Sequence, residues 1–216
     1  MIPIALKPEP ADFDARVRQK GLAWLQAQSL PVAGPLPPKT KPSPYWRECL
    51  DDLHRAYDSM CAFAVVQLEP VVSNPTVEHF KPKSKYAQDI YEWNNFRLVC
   101  GILNGVKRDF EDVLDPCAIA PGTFELDAAL EIHPGANTSE PVRTKARETI
   151  KRLKLNAPDR IRLRTMYWTN YLQGRISADY LRERSPFVAS EMERLSLLNP
   201  DHHGMNPSED FGTGRG

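Results

Sequence analysis

Six prolines fall between residues 31 and 44, at Pro31, Pro35, Pro37, Pro38, Pro42 and Pro44. Each fixes φ and removes a backbone donor, so this stretch can be neither regular helix nor central strand. It is expected to run as an extended strap or spacer. The chain is thereby divided into an N-terminal arm, residues 1 to 44, and a remainder that must supply the main core. Within the arm, residues 11 to 28 read as a helix, with Phe13, Val17, Trp24 and Leu25 on its apolar side.

Beyond the strap, Trp46, Cys49, Leu50, Leu53, Tyr57 and Met60 recur at helical spacing, which predicts an amphipathic helix over 45–60. An apolar run from Ala62 to Leu68 and a turn at Ser73-Asn74-Pro75 lead into a short strand, Thr76 to Phe80. A polar loop from Lys81 to Glu92 follows, then a second strand around Trp93-Asn94-Asn95-Phe96, then a helix over 98–109. Strand, loop, strand and helix thus succeed one another inside a unit spanning 45–112. From 113 to 198 the pattern gives a small hairpin near Phe124 and Ile132. Helices are then expected after Ser139, at Pro158 and after Ser177. Residues 199–216 are rich in Gly, Pro and Asp and are expected to be a disordered tail, with Asp201, His202 and His203 inside it.

Charged residues are 26% and hydrophobic residues 41% of the 216, an ordinary globular composition. No segment approaches the ~20 apolar residues that span a bilayer. The N-terminus, Met1-Ile2-Pro3-Ile4, has no basic stretch leading into an apolar run, so a cytoplasmic protein without a membrane partner is expected. The four cysteines (Cys49, Cys61, Cys100, Cys117) form no Cys-x-x-Cys pair and read as free, buried thiols. Formal net charge is zero. Nucleic-acid binding by the chain alone would need a basic surface, so any such surface must be local or be supplied by a partner.

The chemistry is concentrated in three short segments. They are Val77-Glu78-His79-Phe80-Lys81-Pro82-Lys83-Ser84, Tyr91-Glu92-Trp93-Asn94-Asn95-Phe96 and Cys100-Gly101-Ile102-Leu103-Asn104-Gly105-Val106-Lys107. Phosphodiester hydrolysis needs a base for water, a cation for the developing charge and groups that hold the phosphate. Glu78 and His79 offer a hard oxygen ligand and a base. Asn104 could complete a metal site through its amide oxygen, and Asn95 could hold the loop so that the imidazole stays oriented. Lys81, Lys83, Lys85 and Lys107 lie near enough in sequence to contact phosphates. Taken one at a time these residues are commonplace; their order and spacing carry the argument.

The ordered set of acidic-His, Pro-Lys-Ser loop, Trp-x-Asn and Asn-x-x-Lys resembles the HNH endonucleases, whose fold is the ββα-metal module. The resemblance implies an α+β protein with that module embedded in a mainly helical chain. It implies His79 as general base, Glu78 and Asn104 as ligands of a divalent metal, Mg²⁺ first and Mn²⁺ second, and Asn95 or the adjacent Asn94 as the central asparagine. A narrower resemblance comes from Val113-Leu114-Asp115-Pro116 and from Ala146 to Asn156, which look like the HNH proteins of Septu-type and retron-associated anti-phage systems. It covers roughly residues 45 to 170. It implies DNA as substrate, with RNA or tRNA left open, and an ABC-type ATPase subunit as partner, with a homodimer inside that complex also left open. Such a partner would explain the neutral net charge.

One departure from the family is plain. Many HNH proteins bind a structural zinc with two Cys-x-x-Cys pairs, whereas here Cys61 is followed by Ala64 and Cys100 by Leu103. Two thiolates are a poor tetrahedral site, so no structural zinc is expected, with apolar packing around Ala64 and Leu103 instead. Finally, the run Arg143, Lys145, Arg147, Lys151, Arg152, Lys154, Arg160, Arg162 and Arg164 is either a solvated helix face or a phosphate-tracking surface, with Lys151 and Arg152 as its centre.

Overall fold

The computed structural model describes residues 1–69 and 73–199. The chain is α+β, with two small antiparallel ribbons set among helices. A π-helical turn at Asp14–Arg18 runs into α1 (Gln19–Ala27). A 3-10 turn at Tyr45–Cys49 then runs into α2 (Leu50–Ala56). Strands β1 (Pro75–His79) and β2 (Phe96–Cys100) pair antiparallel, and α3 (Gly101–Lys107) follows β2 without a break. The second ribbon is β3 (Phe124–Leu126) with β4 (Ile132–Pro134). Four helices close the described chain: α4 (Glu140–Arg152), α5 (Pro158–Leu172), α6 (Ala178–Arg184) and α7 (Pro186–Arg194). Among the described residues no helix is long and apolar enough to cross a membrane. The expected tail lies outside the described residues from 200 onward.

Trp93–Asn95, expected in the second strand, is instead a 3-10 turn ahead of β2. Two helix boundaries also differ from the sequence expectation, each for a local reason. The helix expected over 45–60 stops at Ala56, because Asp58 and Ser59 take left-handed backbone (φ 49° and 55°) that no helix continues through. The helix expected from residue 98 begins at Gly101. Leu98 and Val99 stay in β2, paired with Val77 and Thr76, where both side chains are buried. At Cys100 the backbone is still extended (φ −69°, ψ 149°), and it turns helical only after that residue.

The N-terminal arm does not stand apart from the unit it precedes. Phe13, Val17 and Leu25 are fully buried. The Phe13 ring stands edge-on to Trp93 and to Phe96, with centroids 5.5 and 5.9 Å away. Trp93 in turn donates from its indole nitrogen to the Lys7 carbonyl at 2.8 Å. Arg18 adds a charged clasp, reaching Glu92 on the loop and Glu9 and Asp14 on its own arm. The proline strap holds neither helix nor strand, as expected, but it is not extended throughout: it turns at Pro38–Lys39, and it is bound to the loop after β1. Leu36 donates its N–H to the Ser84 carbonyl at 3.0 Å, and Ala87 donates to the Gly34 carbonyl at 2.8 Å.

The segments behind the narrower family resemblance are structural anchors. Asp115 takes Arg97 of β2 in a two-point ion pair, at 2.9 and 2.6 Å, with the guanidinium buried. Thr149, buried on α4, accepts the Leu114 N–H at 2.8 Å. Asn156 both accepts from and donates to the backbone of Ile132, at 2.8 and 2.9 Å.

Gly21 tests how tightly the arm belongs to the core. A Cβ at this position would overlap the Tyr91 ring, which is buried and tied through its hydroxyl to the Ser43 carbonyl. On an independent helix Gly→Ala gains about 1 kcal/mol. Here Gly21→Ala is expected to lose about 1–3 kcal/mol by overpacking, read as a lower urea midpoint at unchanged m. A gain would mean that the arm does not bear on the core.

Candidate active site

Five stretches of chain converge on one cleft of about 220 Å³. Glu78 and His79 come from the end of β1, Asn104 from α3, and Arg108 and Asp109 from just beyond it. Pro82, Lys83 and Ser84 come from the loop, and Leu36, Thr40 and Pro42 from the strap. The strap, expected as a spacer, is therefore a wall of the cleft.

His79 is held on every side but one. Its Nε2 lies 2.9 Å from the Ile90 carbonyl oxygen, which can only accept, so Nε2 carries the proton. Its ring meets Trp46 and Phe96 edge-on, with centroids 4.7 and 5.0 Å away. The remaining nitrogen, Nδ1, keeps its lone pair and faces the Lys83 ammonium at 3.4 Å. Burial first, and then the Lys83 charge, hold the imidazole well below its ordinary pKa and therefore neutral. Lys83 is itself pulled below the usual lysine range by burial, and its ammonium lies 4.9 Å from the centre of the Trp46 ring.

Asn95 keeps this arrangement in place and does not reach the cleft. Its side-chain oxygen accepts the Lys81 N–H at 2.7 Å, and its amide nitrogen donates to the Asp89 and Lys81 carbonyls at 2.9 and 3.2 Å. Three bonds across the loop fix its two ends, and with them the Ile90 carbonyl that orients His79. Asn95 is thus a positioning residue; its neighbour Asn94 is exposed.

Lys107 departs most from the expectation that it binds nucleic acid. Its side chain is 0% exposed, so it cannot meet a phosphate. Instead its Nζ bonds Glu78 Oε1 at 2.9 Å, the Phe80 carbonyl at 2.8 Å and the His79 carbonyl at 3.2 Å. The physical reason is helical spacing: Lys107 lies three residues after Asn104, on the same inward face of α3. Burial pushes the Glu78 carboxyl up to about 7, against the pull of Lys107. Asn104 donates from Nδ2 to Thr76 Oγ1 at 2.9 Å, so Oδ1 is the atom with which it could hold a metal.

The other basic residues divide sharply. Lys81 is exposed and paired with Asp89, and Lys85 is paired with Glu111. Lys151 and Arg152 line a second cleft of about 340 Å³ with Lys154 and Phe110. Arg152 lies over the Phe110 ring at 4.3 Å and pairs with Asp112 at 3.0 Å. Arg164 is buried and bonds the Leu130 and Leu155 carbonyls, at 2.7 and 3.0 Å, so it leaves the basic surface altogether. Arg108, which the sequence reading passed over, lines both clefts and links them. Its position directly after Lys107, at the end of the helix, was the available signal.

Hard oxygen donors suit Mg²⁺ or Mn²⁺, and Glu78 and Asn104 lining one cleft beside His79 fit such an ion chemically, with the rest of its shell left to water and phosphate. Among the described residues, a group of three His and carboxylate donors lies elsewhere, at Asp127, Glu131 and His133 of the second ribbon. There Asp127 caps the N–H groups of Ala129 and Glu131 and bonds His133, which accounts for the cluster as a turn. Around Ala64 and Leu103 the packing is apolar, as expected. Comparison of the chain with family models and with curated proteins found no match.

The burial of Lys107 gives a direct test. Lys107→Met leaves the Glu78 carboxyl without its partner and is expected to cost about 3–5 kcal/mol of unfolding free energy. A variant of wild-type stability with weakened DNA binding would return Lys107 to the phosphate-contact role.

Proposed function

We propose that the chain is a metal-dependent endonuclease of the HNH type, with β1, β2 and α3 as its ββα unit. The observation that carries this reading is His79, with Nε2–H fixed on the Ile90 carbonyl and a neutral Nδ1 turned into a cleft that Glu78 and Asn104 also line. A base must be neutral and oriented, as this imidazole is, and its place in the lining of the cleft supports access for a water. Nδ1 takes the proton of a water as that water attacks phosphorus, and the bond to the leaving oxygen breaks. Lys83, beside Nδ1, would meet the phosphate next to the base, and Asn95 keeps the loop, and so the ring, in register. Glu78 and Asn104 would hold a divalent ion, which supplies charge stabilisation at the phosphoryl and leaving oxygens. Arg108, Lys151 and Lys154 extend a basic track from the cleft along which a backbone can lie.

Within that class, the particular protein we infer is a nuclease subunit of a Septu-type or retron-associated defence complex, cutting DNA in the cytoplasm beside an ABC-type ATPase. This rests on the residue resemblance. The neutral net charge and the few unpaired cations on the track agree with a partner that contributes DNA affinity. A second reading, a non-catalytic HNH-like module for nucleic-acid binding or ATPase docking, draws on the Glu78–Lys107 pair, because an ammonium at 2.9 Å offsets the charge a metal needs.

Plasmid cleavage by wild type and His79→Ala separates these readings, run with Mg²⁺ or Mn²⁺, with EDTA, and with and without the ATPase. The nuclease reading expects cutting that EDTA abolishes and that falls roughly 10²–10⁴-fold in the variant. No cutting together with no metal binding would favour the docking module. Charge reversal of Lys151 and Arg152 is expected to weaken DNA affinity and flatten its salt dependence. An unchanged slope would make that face merely solvated.

A further inference from the structure

Cys61 and Cys100 are far apart in sequence and meet in space. Cys61 opens a tight turn in which it donates its N–H to the Val66 carbonyl at 3.0 Å and accepts from the Val65 N–H at 2.8 Å. Val65 takes left-handed backbone to close the turn (φ 53°). The next residue, Ala62, donates to the Leu98 carbonyl at 2.8 Å, which lays the turn along β2. Cys100 ends β2 and leads directly into α3. Ala64 and Val66 of that turn share one cleft with Cys100, and the Cys61 and Cys100 side chains interact directly.

The two sulfurs are unequal in a way that suits oxidation. Cys61 is fully buried, whereas Cys100 is half-buried and lines an apolar cleft of about 340 Å³ with Ala64, Leu103, Arg160 and Tyr167. The interaction with Cys61, first of all, lowers the Cys100 thiol from its ordinary value. Burial instead pushes the Cys49 and Cys117 thiols up to about 12 and about 11. A reachable thiolate with a buried thiol in contact is the arrangement that peroxide chemistry needs.

We propose that Cys61 and Cys100 are a peroxide-oxidised dithiol that closes to a reversible disulfide. The Cys100 thiolate attacks one oxygen of hydrogen peroxide, the O–O bond breaks, and the departing hydroxide takes a proton to become water. Cys100 is left as a sulfenic acid. The Cys61 sulfur then attacks the Cys100 sulfur, the S–O bond breaks, and a second water leaves carrying the Cys61 proton. Two thiols lose two electrons and the peroxide gains them. The bond formed joins the turn before β1 to the start of α3, around the segment that carries Glu78 and His79. The proposal stands independently of the nuclease reading, because it concerns thiols outside that cleft.

The test uses the full reduced chain exposed to hydrogen peroxide, then unfolded, alkylated and digested for mass spectrometry. Expected are a mass loss of about 2 Da, a linked Cys61–Cys100 peptide, and free, alkylated Cys49 and Cys117, all reversed by dithiothreitol. The melting temperature of the oxidised chain should rise by several degrees, since the link constrains the unfolded state. Cys61→Ser should leave Cys100 as a sulfenic acid that dimedone captures, without the link. Two wild-type results would overturn the proposal: Cys100 still fully alkylated under peroxide that oxidises glutathione, or Cys100 driven to sulfinic acid with no link.

Discussion

A lysine ammonium sealed inside the protein sets the terms for everything around it. Lys107 has no access to water and satisfies its charge with one carboxylate and two backbone carbonyls, all from Glu78, His79 and Phe80. A buried charge tolerates no vacancy in such a set, so α3 has one depth and one rotation at which it can dock on β1. Asn104, one turn earlier, is then necessarily opposite Thr76, and Glu78 has one oxygen committed inward. The composition of the cleft follows from a contact that lies behind it.

The loop between the strands is governed in a parallel way by Asn95. With its oxygen and nitrogen both spent on backbone groups of residues 81 and 89, the loop cannot breathe without losing buried hydrogen bonds. Trp93 and Phe96 on either side carry the contact on to Phe13, so the arm, the loop and the ribbon share one aromatic layer. The imidazole inherits its orientation from that layer through Ile90 and Phe96.

Local order was legible in the sequence, and so was the grouping of Glu78, His79 and Asn104, because both follow from short-range pattern and spacing. Where reading failed, the missing information was burial or long-range closure. Lys107 and Arg164 count as cations in any tally, yet both spend their charge on the interior. Asn104 and Lys107 sit at helical spacing, so the shared face was visible, but which groups would meet it was not. The end of β2 was misplaced because Leu98 and Val99 suit a helix as well as a strand until β1 pairs with them. Trp46 reaches His79, and the strap the cleft, only through contacts that no local pattern encodes.

That last point bears on how the molecule comes together. The β1–β2–α3 unit closes over short stretches of chain, the Lys107 contacts to Phe80 spanning 27 residues. The wall made by the strap needs longer closures, 54 residues from Gly34 to Gln88, and the arm needs 86 from Lys7 to Trp93. Longer loops cost more entropy to close and form later on average. The β1–β2 ribbon can thus exist as an open scaffold before the cleft has its outer side. During synthesis the arm and strap leave the ribosome first and must wait for their counterpart to emerge. The outer wall of the cleft thus depends on closures at least twice as long as the one that ties α3 to β1.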